Sequence, residues 1–119
     1  MKHLNPIDPL KVQEAIDAFL HKDVYIHLET TTGAYSAHQN AGNMTVVAFI
    51  RNAKINFSQG KIKGKGPYRV GLKTEEGWVY AEGLTHYTID VQNRLLMAGH
   101  DQEGRLAIAL EISETPFPQ

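Results

Sequence analysis

Cysteine is absent from this 119-residue chain. Its absence excludes disulfides, thiolate metal sites and cysteine nucleophiles, and it fits a reducing cytosol. No stretch approaches the roughly 18 apolar residues that a membrane helix needs. Met1 to Leu10 holds no apolar run like that of a signal peptide. The expectation is a cytoplasmic protein with no membrane partner. Acidic residues are also absent from Thr30 to Thr74. That window holds Arg51, Lys54, Lys61, Lys63, Lys65, Arg69 and Lys73, which are 7 of the 12 basic side chains. All 13 acidic side chains lie outside it. The window therefore carries +7, and the flanks, with 5 basic residues against 13 acidic, carry −8, a split concealed by the net charge of −1. Such asymmetry invites an anionic partner, or an acidic surface on a second copy of the chain.

Catalytic signatures are missing as well. Ser36, Ser58 and Ser113 lie in no Gly-x-Ser-x-Gly context. The six histidines form no His-Glu-x-x-His or His-x-His pattern. Gly64-Lys65-Gly66 lacks the Gly-Lys-Ser/Thr ending of a phosphate loop, and no helix follows it to hold a phosphate at its N-terminus. Neither a cofactor nor a metal is expected.

The pattern that remains is one helix followed by strands. At 13.3 kDa and 42% hydrophobic content, the chain is sized for a single domain with a useful core. Asp8-Pro9 starts a helix, the Asp as cap and the Pro preorganised for the first helical position. Leu10, Ala15, Ile16, Phe19 and Leu20 then recur at helical spacing, which predicts a helix from about Pro9 to His21. Val24, Ile26 and Leu28 alternate with Tyr25, His27 and Glu29 in a strand. A short return strand over Ala34–His38 and a loose loop over Asn40–Asn43 follow.

From Met44 to Phe57 the apolar parity switches. Met44, Val46, Ala48 and Ile50 are even, whereas Ile55 and Phe57 are odd. Period two cannot hold both sets on one face, so a bulge or bend is expected near Arg51-Asn52. Ser58-Gln59-Gly60 reads as a hairpin turn, with a return strand over Lys61–Thr74 broken near Pro67. Further strands are expected at Trp78–Glu82, bent at Gly83 into Leu84–Gln92, and at Leu95–His100 and Arg105–Ser113. Pro116 and Pro118 mark a tail that cannot extend a sheet. The fold class is mainly β with one N-terminal helix: seven or eight strands in an antiparallel meander, curled into a barrel or half-barrel.

Three constellations could carry function. Tyr25, His27 and Glu29 share one strand face, where a His with a carboxylate two residues away could serve as base and orienter or as two metal ligands. Alternating polar residues on a half-solvated strand are the plainer reading. Lys61, Lys63, Lys65, Arg69 and Lys73 share parity and could form a positive face, with Arg51 and Lys54 contributed by the neighbouring strand. Nucleic acid is not favoured there, because the nearby aromatics fall mostly on core-like parity and the pI is about 6.6. Trp78, Tyr80 and Glu82 share a face, with Arg69 or Lys73 as the expected partner of a partly buried Glu82.

Four runs resemble the YojF-like family of small bacterial proteins. They are Asp23-Val24-Tyr25-Ile26-His27-Leu28-Glu29-Thr30, Ile50-Arg51-Asn52-Ala53-Lys54-Ile55, Gly66-Pro67-Tyr68-Arg69-Val70-Gly71-Leu72-Lys73 and Gly77-Trp78-Val79-Tyr80-Ala81-Glu82-Gly83. The resemblance implies a β-rich, partly barrel-like fold with an N-terminal helix, in a cytoplasmic protein of Gram-positive bacteria. It supplies no activity, cofactor or catalytic residue. Members are similar to proteins encoded beside a deacetylase of low-molecular-weight thiol synthesis, which implies a link to that metabolism.

The leading expectation is a non-catalytic binding or accessory protein acting as a homodimer. Its ligand-binding surface would be formed by Tyr25, His27, Glu29, Arg51, Asn52, Arg69 and Tyr80, facing an anionic small ligand or an acidic protein partner. One alternative is a small enzyme, metal-dependent or not, built on His27 and Glu29. The other is a weak single-stranded nucleic-acid binder using the basic hairpin over residues 51–73.

Overall fold

A computed structural model describes residues 4–31 and 46–118 of the chain. The expected strand over Ala34–His38 and loop over Asn40–Asn43 lie outside the described residues. Helix α1 spans Pro9–Asp17. Asp8 caps it, its carboxylate accepting from the backbone N–H of Leu10 at 3.1 Å and of Lys11 at 3.4 Å. The helix stops four residues earlier than its apolar spacing implied. His21 adopts a left-handed conformation (φ 63°) and donates its N–H to the Phe57 carbonyl, which turns the chain into the sheet. The buried stripe is Val12, Ile16 and Phe19, whereas Leu10, expected on that stripe, is 78% exposed. Gln13 fixes the helix to the sheet. Its side-chain amide donates to the Gly60 carbonyl at 2.8 Å and accepts from the Ile62 N–H at 3.0 Å.

The remaining elements among the described residues are eight strands: β1 (Asn5–Pro6), β2 (Asp23–Thr31), β3 (Val46–Gly64), β4 (Tyr68–Thr74), β5 (Trp78–Leu84), β6 (His86–Ile89), β7 (Leu95–His100) and β8 (Leu106–Ser113). They form one antiparallel sheet in the order β1-β6-β7-β8-β2-β3-β4-β5. β5 is an edge strand, yet only Thr85 separates it from β6, near the opposite edge. The sheet must therefore curl until its ends approach, and the Thr85 N–H closes onto the Ala98 carbonyl of β7 at 2.9 Å. The result is a half-barrel, not a closed barrel.

β3 joins both halves of this sheet. Its first part pairs with β2 and its second with β4. The expected bulge is present: the β2–β3 register shifts opposite Ile26/His27, and Asn52 sits at φ 61°. A second irregularity falls between Phe57 and Gln59. It corrects the expectation of a hairpin turn at Ser58-Gln59-Gly60. The strand runs through these residues, with Ser58 as the extra one, and the turn comes after Gly64. The two shifts move the inward side from even to odd positions (Ala53, Ile55, Phe57) and back to even (Gly60, Ile62). The core between helix and sheet holds Val12, Ile16, Phe57, Leu72, Leu84, Met97, Leu110 and Ile112. A Cβ at Gly60 would collide with the Ile16 side chain, so glycine lets the helix lie close to β3.

Candidate functional site

The hairpin of β3 and β4, with β5 beside it, turns one row of side chains to solvent. Cross-strand register sets the row: Gln59 opposite Lys73, Lys61 opposite Gly71 and Lys63 opposite Arg69, then Lys73 opposite Trp78, Gly71 opposite Tyr80 and Arg69 opposite Glu82. Four cations thus share a face with two aromatic rings. Trp78 is 46% exposed and Tyr80 52%. Their rings stack with centroids 5.4 Å apart and planes 8° apart. The Arg69 guanidinium lies 5.6 Å from the Tyr80 centroid, and the Lys73 ammonium 6.0 Å from that of Trp78. The ladder therefore reads Arg69, Tyr80, Trp78, Lys73. The expectation that the aromatics near the basic window sit on core parity is corrected for this pair, because β5 is an edge strand whose outer face is uncovered. Phe57 is fully buried.

Gly71 makes the ladder possible, and sequence reasoning passed over it. A Cβ there would stand 2.8 Å from Tyr80 Cε1, 3.1 Å from its Cδ1 and 3.5 Å from Trp78 Cε3. The rings lean over a strand position that only glycine leaves open. The available signal was a glycine in mid-strand, which marks close approach. A concavity of about 310 Å³ on this face is lined by Gln59, Lys61, Lys63, Arg69, Gly71, Trp78 and Tyr80.

The electrostatics of this face differ from those of the rest of the protein. In the flanks, Lys22 pairs with Glu114, Arg94 with Asp90, and Arg105 with Asp101 and Glu103. Among the described residues, Lys54, Lys61, Lys63, Lys65 and Lys73 pair with no carboxylate. Arg69 reaches Glu82 at 3.6 Å, with both side chains exposed, so the expected pair forms but Glu82 is not partly buried. Such a pair is worth little, about 0–1 kcal/mol.

The other expected site residues go elsewhere. Asn52 uses its left-handed backbone to turn its amide onto the segment after β8. Its Nδ2 donates to the Phe117 carbonyl at 2.9 Å, and its Oδ1 accepts from the Phe117 N–H at 2.7 Å. Arg51 donates to the Pro118 carbonyl at 2.6 Å, and the Phe117 ring lies 5.3 Å from the Arg51 guanidinium and 5.7 Å from that of Arg94. These residues hold the tail. Tyr25 is half-buried, between Lys54 of β3 and Ser113 of β8. His27 is 6% exposed, not half-solvated, and its Nε2 stands 3.3 Å from Glu29 Oε1. His27 and Glu29 line one concavity, Arg51 a second, and Arg69 two others. The four residues do not converge, so they form no shared catalytic constellation. Among the described residues, no group of three or more His, Cys, Asp or Glu side chains is placed to hold a metal ion.

The β6–β7 and β7–β8 turns share a device not recognised in the sequence. Asp90 and Asp101 each accept from backbone N–H groups two and four residues on, and each pairs with the arginine four residues on, Arg94 or Arg105. Partial burial opposes ionisation of Asp90, but hydrogen bonds from Arg94 and Gln92 outweigh it and lower the pKa. The Arg105 N–H leads in lowering that of Asp101, against a smaller desolvation effect.

Residues 6–117 match the family described as "Protein of unknown function (DUF1806)". The chain is 69% identical over 106 residues to "Uncharacterized protein YojF" of Bacillus subtilis (strain 168), covering 89% of this chain and 91% of that protein. The crystal structure of Bacillus subtilis YojF superposes with a TM-score of 0.84 at 55% identity, covering 99% of this chain and 100% of the other. No helix among the described residues is long and apolar enough to cross a membrane.

Proposed function

We propose that this chain, which belongs to the DUF1806 family, is a binding protein whose ligand surface is the basic face of β3, β4 and β5. Its ligand carries both negative charge and a flat ring, as in a nucleotide or a single-stranded nucleic acid. One observation carries the reading: Trp78 and Tyr80 stand exposed and parallel between Arg69 and Lys73. Stacking of a base on an aromatic side chain is worth about 1–3 kcal/mol, and opening an exposed cation–ring contact costs only about 0.5–1 kcal/mol. A flat ring can therefore displace Arg69 or Lys73 from the ladder at a net gain. The freed cation stays available for the ligand's charge.

Lysines on edge strands also discourage aggregation. That role suits Lys73 poorly, because β4 lies between β3 and β5, but it fits Lys61 and Lys63, where β3 pairs with β4 and turns its other side to Gln13 of the helix; it leaves the stacked Trp78–Tyr80 pair unexplained. The net charge of −1 is no obstacle, since a surface field is local over about a Debye length, roughly 8–10 Å. The charge split also supports a homodimer in which the basic face meets an acidic flank bearing Glu103, Glu111 and Glu114 of a second copy, an arrangement that competes with ligand for that face. Sedimentation showing a monomer at every concentration removes that part alone. The link to low-molecular-weight thiol metabolism rests on the family resemblance and gains no residue from the fold.

Trp78 is the sole tryptophan, so its fluorescence reports on this face alone. Titration with oligothymidylate is expected to quench it, with log K falling against log salt at a slope of about −2 to −3, as for three or four phosphates neutralised on a single strand. Quenching by thymidine monophosphate but not by the oligomer assigns the face to small anionic ring ligands. No quenching by either at low salt removes the reading.

A further inference from the structure

We propose that the central strands β7, β8 and β2 carry a second site, a pocket floored by His27 that takes a small organic cation with an apolar body. This site does not depend on the reading of the basic face. His27 is 6% exposed, and its Nδ1 is buried without a hydrogen-bond partner among the described residues. Its Nε2 faces the Glu29 carboxylate at 3.3 Å. An ionised carboxylate can only accept, so Nε2 carries the proton, and in the neutral ring Nδ1 is then a bare acceptor. Leaving such a group unpaired costs about 1–3 kcal/mol. Native proteins rarely retain one without a use for it.

The surroundings define what could bind beside the ring. His27 lies opposite Glu111 in the β2–β8 ladder, and Glu111 lies opposite Leu96 in the β7–β8 ladder. These side chains, with Glu29, His100 and Leu106, line a concavity of about 290 Å³, the size of a fragment-scale ligand. Among the described residues its lining contains two carboxylates, two imidazoles and an apolar wall, with no lysine or arginine. Glu111 is half-buried and forms no ion pair with any described residue. The two carboxylates favour a hydrogen-bond donor with positive charge, while Arg51, opposite His27 in the β2–β3 ladder, lines with Arg94 the neighbouring concavity that Glu111 shares. An ammonium or amidinium meets that demand, and the apolar wall of Leu96, Ala98 and Leu106 accommodates a hydrocarbon body. The pocket is thus opposite in sign to the basic face.

Benzylamine is a suitable probe, with benzoate as its anionic counterpart. Long-range 15N–1H NMR of the imidazoles is expected to show His27 protonated on Nε2, with its Nδ1 resonance moving as benzylamine is added. Saturation-transfer NMR is expected to detect benzylamine at millimolar concentration and not benzoate. Glu111→Gln, a conservative change at a half-buried position, should weaken benzylamine about two- to fivefold, the scale of one lost charge pair. His27→Gln should weaken it too, and Lys61→Glu/Lys63→Glu on the basic face should leave it unchanged. The proposal is overturned if His27 is protonated on Nδ1, if benzylamine leaves His27 unmoved, if benzoate binds equally well, or if Glu111→Gln binds as the unsubstituted protein does.

Discussion

Replacing Gly71 with alanine is a sharp perturbation of the basic face, because it touches the ladder without removing any of its members. The added Cβ would stand 2.8 Å from Tyr80 Cε1. The obstruction is an exposed ring, not backbone, so the ring can yield by lifting off the strand. Lifting it forfeits the parallel contact with Trp78, worth about 0.5–1.5 kcal/mol, and the Arg69 contact, worth about 0.5–1 kcal/mol. Against this, alanine restricts the unfolded chain and returns about 0.4–1 kcal/mol. The net loss of stability is therefore about 1 kcal/mol, a shift in Tm of only a few degrees. Ligand affinity should fall much further. Loss of one stacking surface costs about 1–3 kcal/mol, or roughly tenfold to a hundredfold in Kd. The assay is Trp78 emission in the free protein and its quenching by oligothymidylate. Gly71→Ala should shift the emission and weaken the quenching while melting nearly as the parent does. A Tyr80→Ala substitution added to Gly71→Ala should then cost little more, because the two changes remove the same contact. Unchanged emission and affinity in Gly71→Ala would refute the reasoning, since the ring would not be resting where the structure places it.

Gly99→Ala should destabilise severely, by about 3 kcal/mol or more in a urea melt, because its Cβ would collide with the Gly83 carbonyl, and backbone cannot swing aside. Asn52→Ala should cost about 1 kcal/mol more than Asn52→Gly. Both lose the two hydrogen bonds to Phe117, but only alanine is strained at φ 61°; equal costs would contradict this. Asp90 and Asp101 have folded pKa values below the ordinary 3.8. Their contribution is therefore present above that value and lost as pH falls through the lower folded one. The Asp90→Asn/Asp101→Asn protein should be less stable than the parent at pH 7, and denaturant melts should show that gap shrinking below about pH 4.

Much of this architecture was legible in the chain. The parity switch between the even set ending at Ile50 and the odd set beginning at Ile55 announced a bulge or bend, because period two cannot hold both sets on one face, although Ile50 itself is 39% exposed. The cap at Asp8-Pro9 was equally explicit. Ser58-Gln59-Gly60 misled because its residues suit a turn. In the structure Ser58 is a bulge, and Gly60 is small to admit Ile16 of the helix. That reason exists only in three dimensions. Trp78 and Tyr80 carried the parity shared with Glu82, but their apolar character argued for the core. Their exposure depends on β5 being an edge strand, which no local pattern reveals. Arg51 and Asn52 looked like ligand contacts because they are polar and re-aimed by a bulge. Their partner is the segment containing Phe117, about 65 residues further along the chain. The resemblance to a family identified the fold well and left the site to be read from geometry.

The central claim is that ligand meets the face made by Lys61, Lys63, Arg69, Gly71, Lys73, Trp78 and Tyr80. Backbone amide chemical-shift mapping with oligothymidylate tests it most directly. The account predicts perturbations concentrated in residues 59–63, 69–73 and 78–82, together with the Trp78 indole N–H, and their loss in the Lys61→Glu/Lys63→Glu protein. Perturbations centred instead on His27, Glu29 and Glu111, or absent from the three strands with both oligothymidylate and thymidine monophosphate, would contradict it.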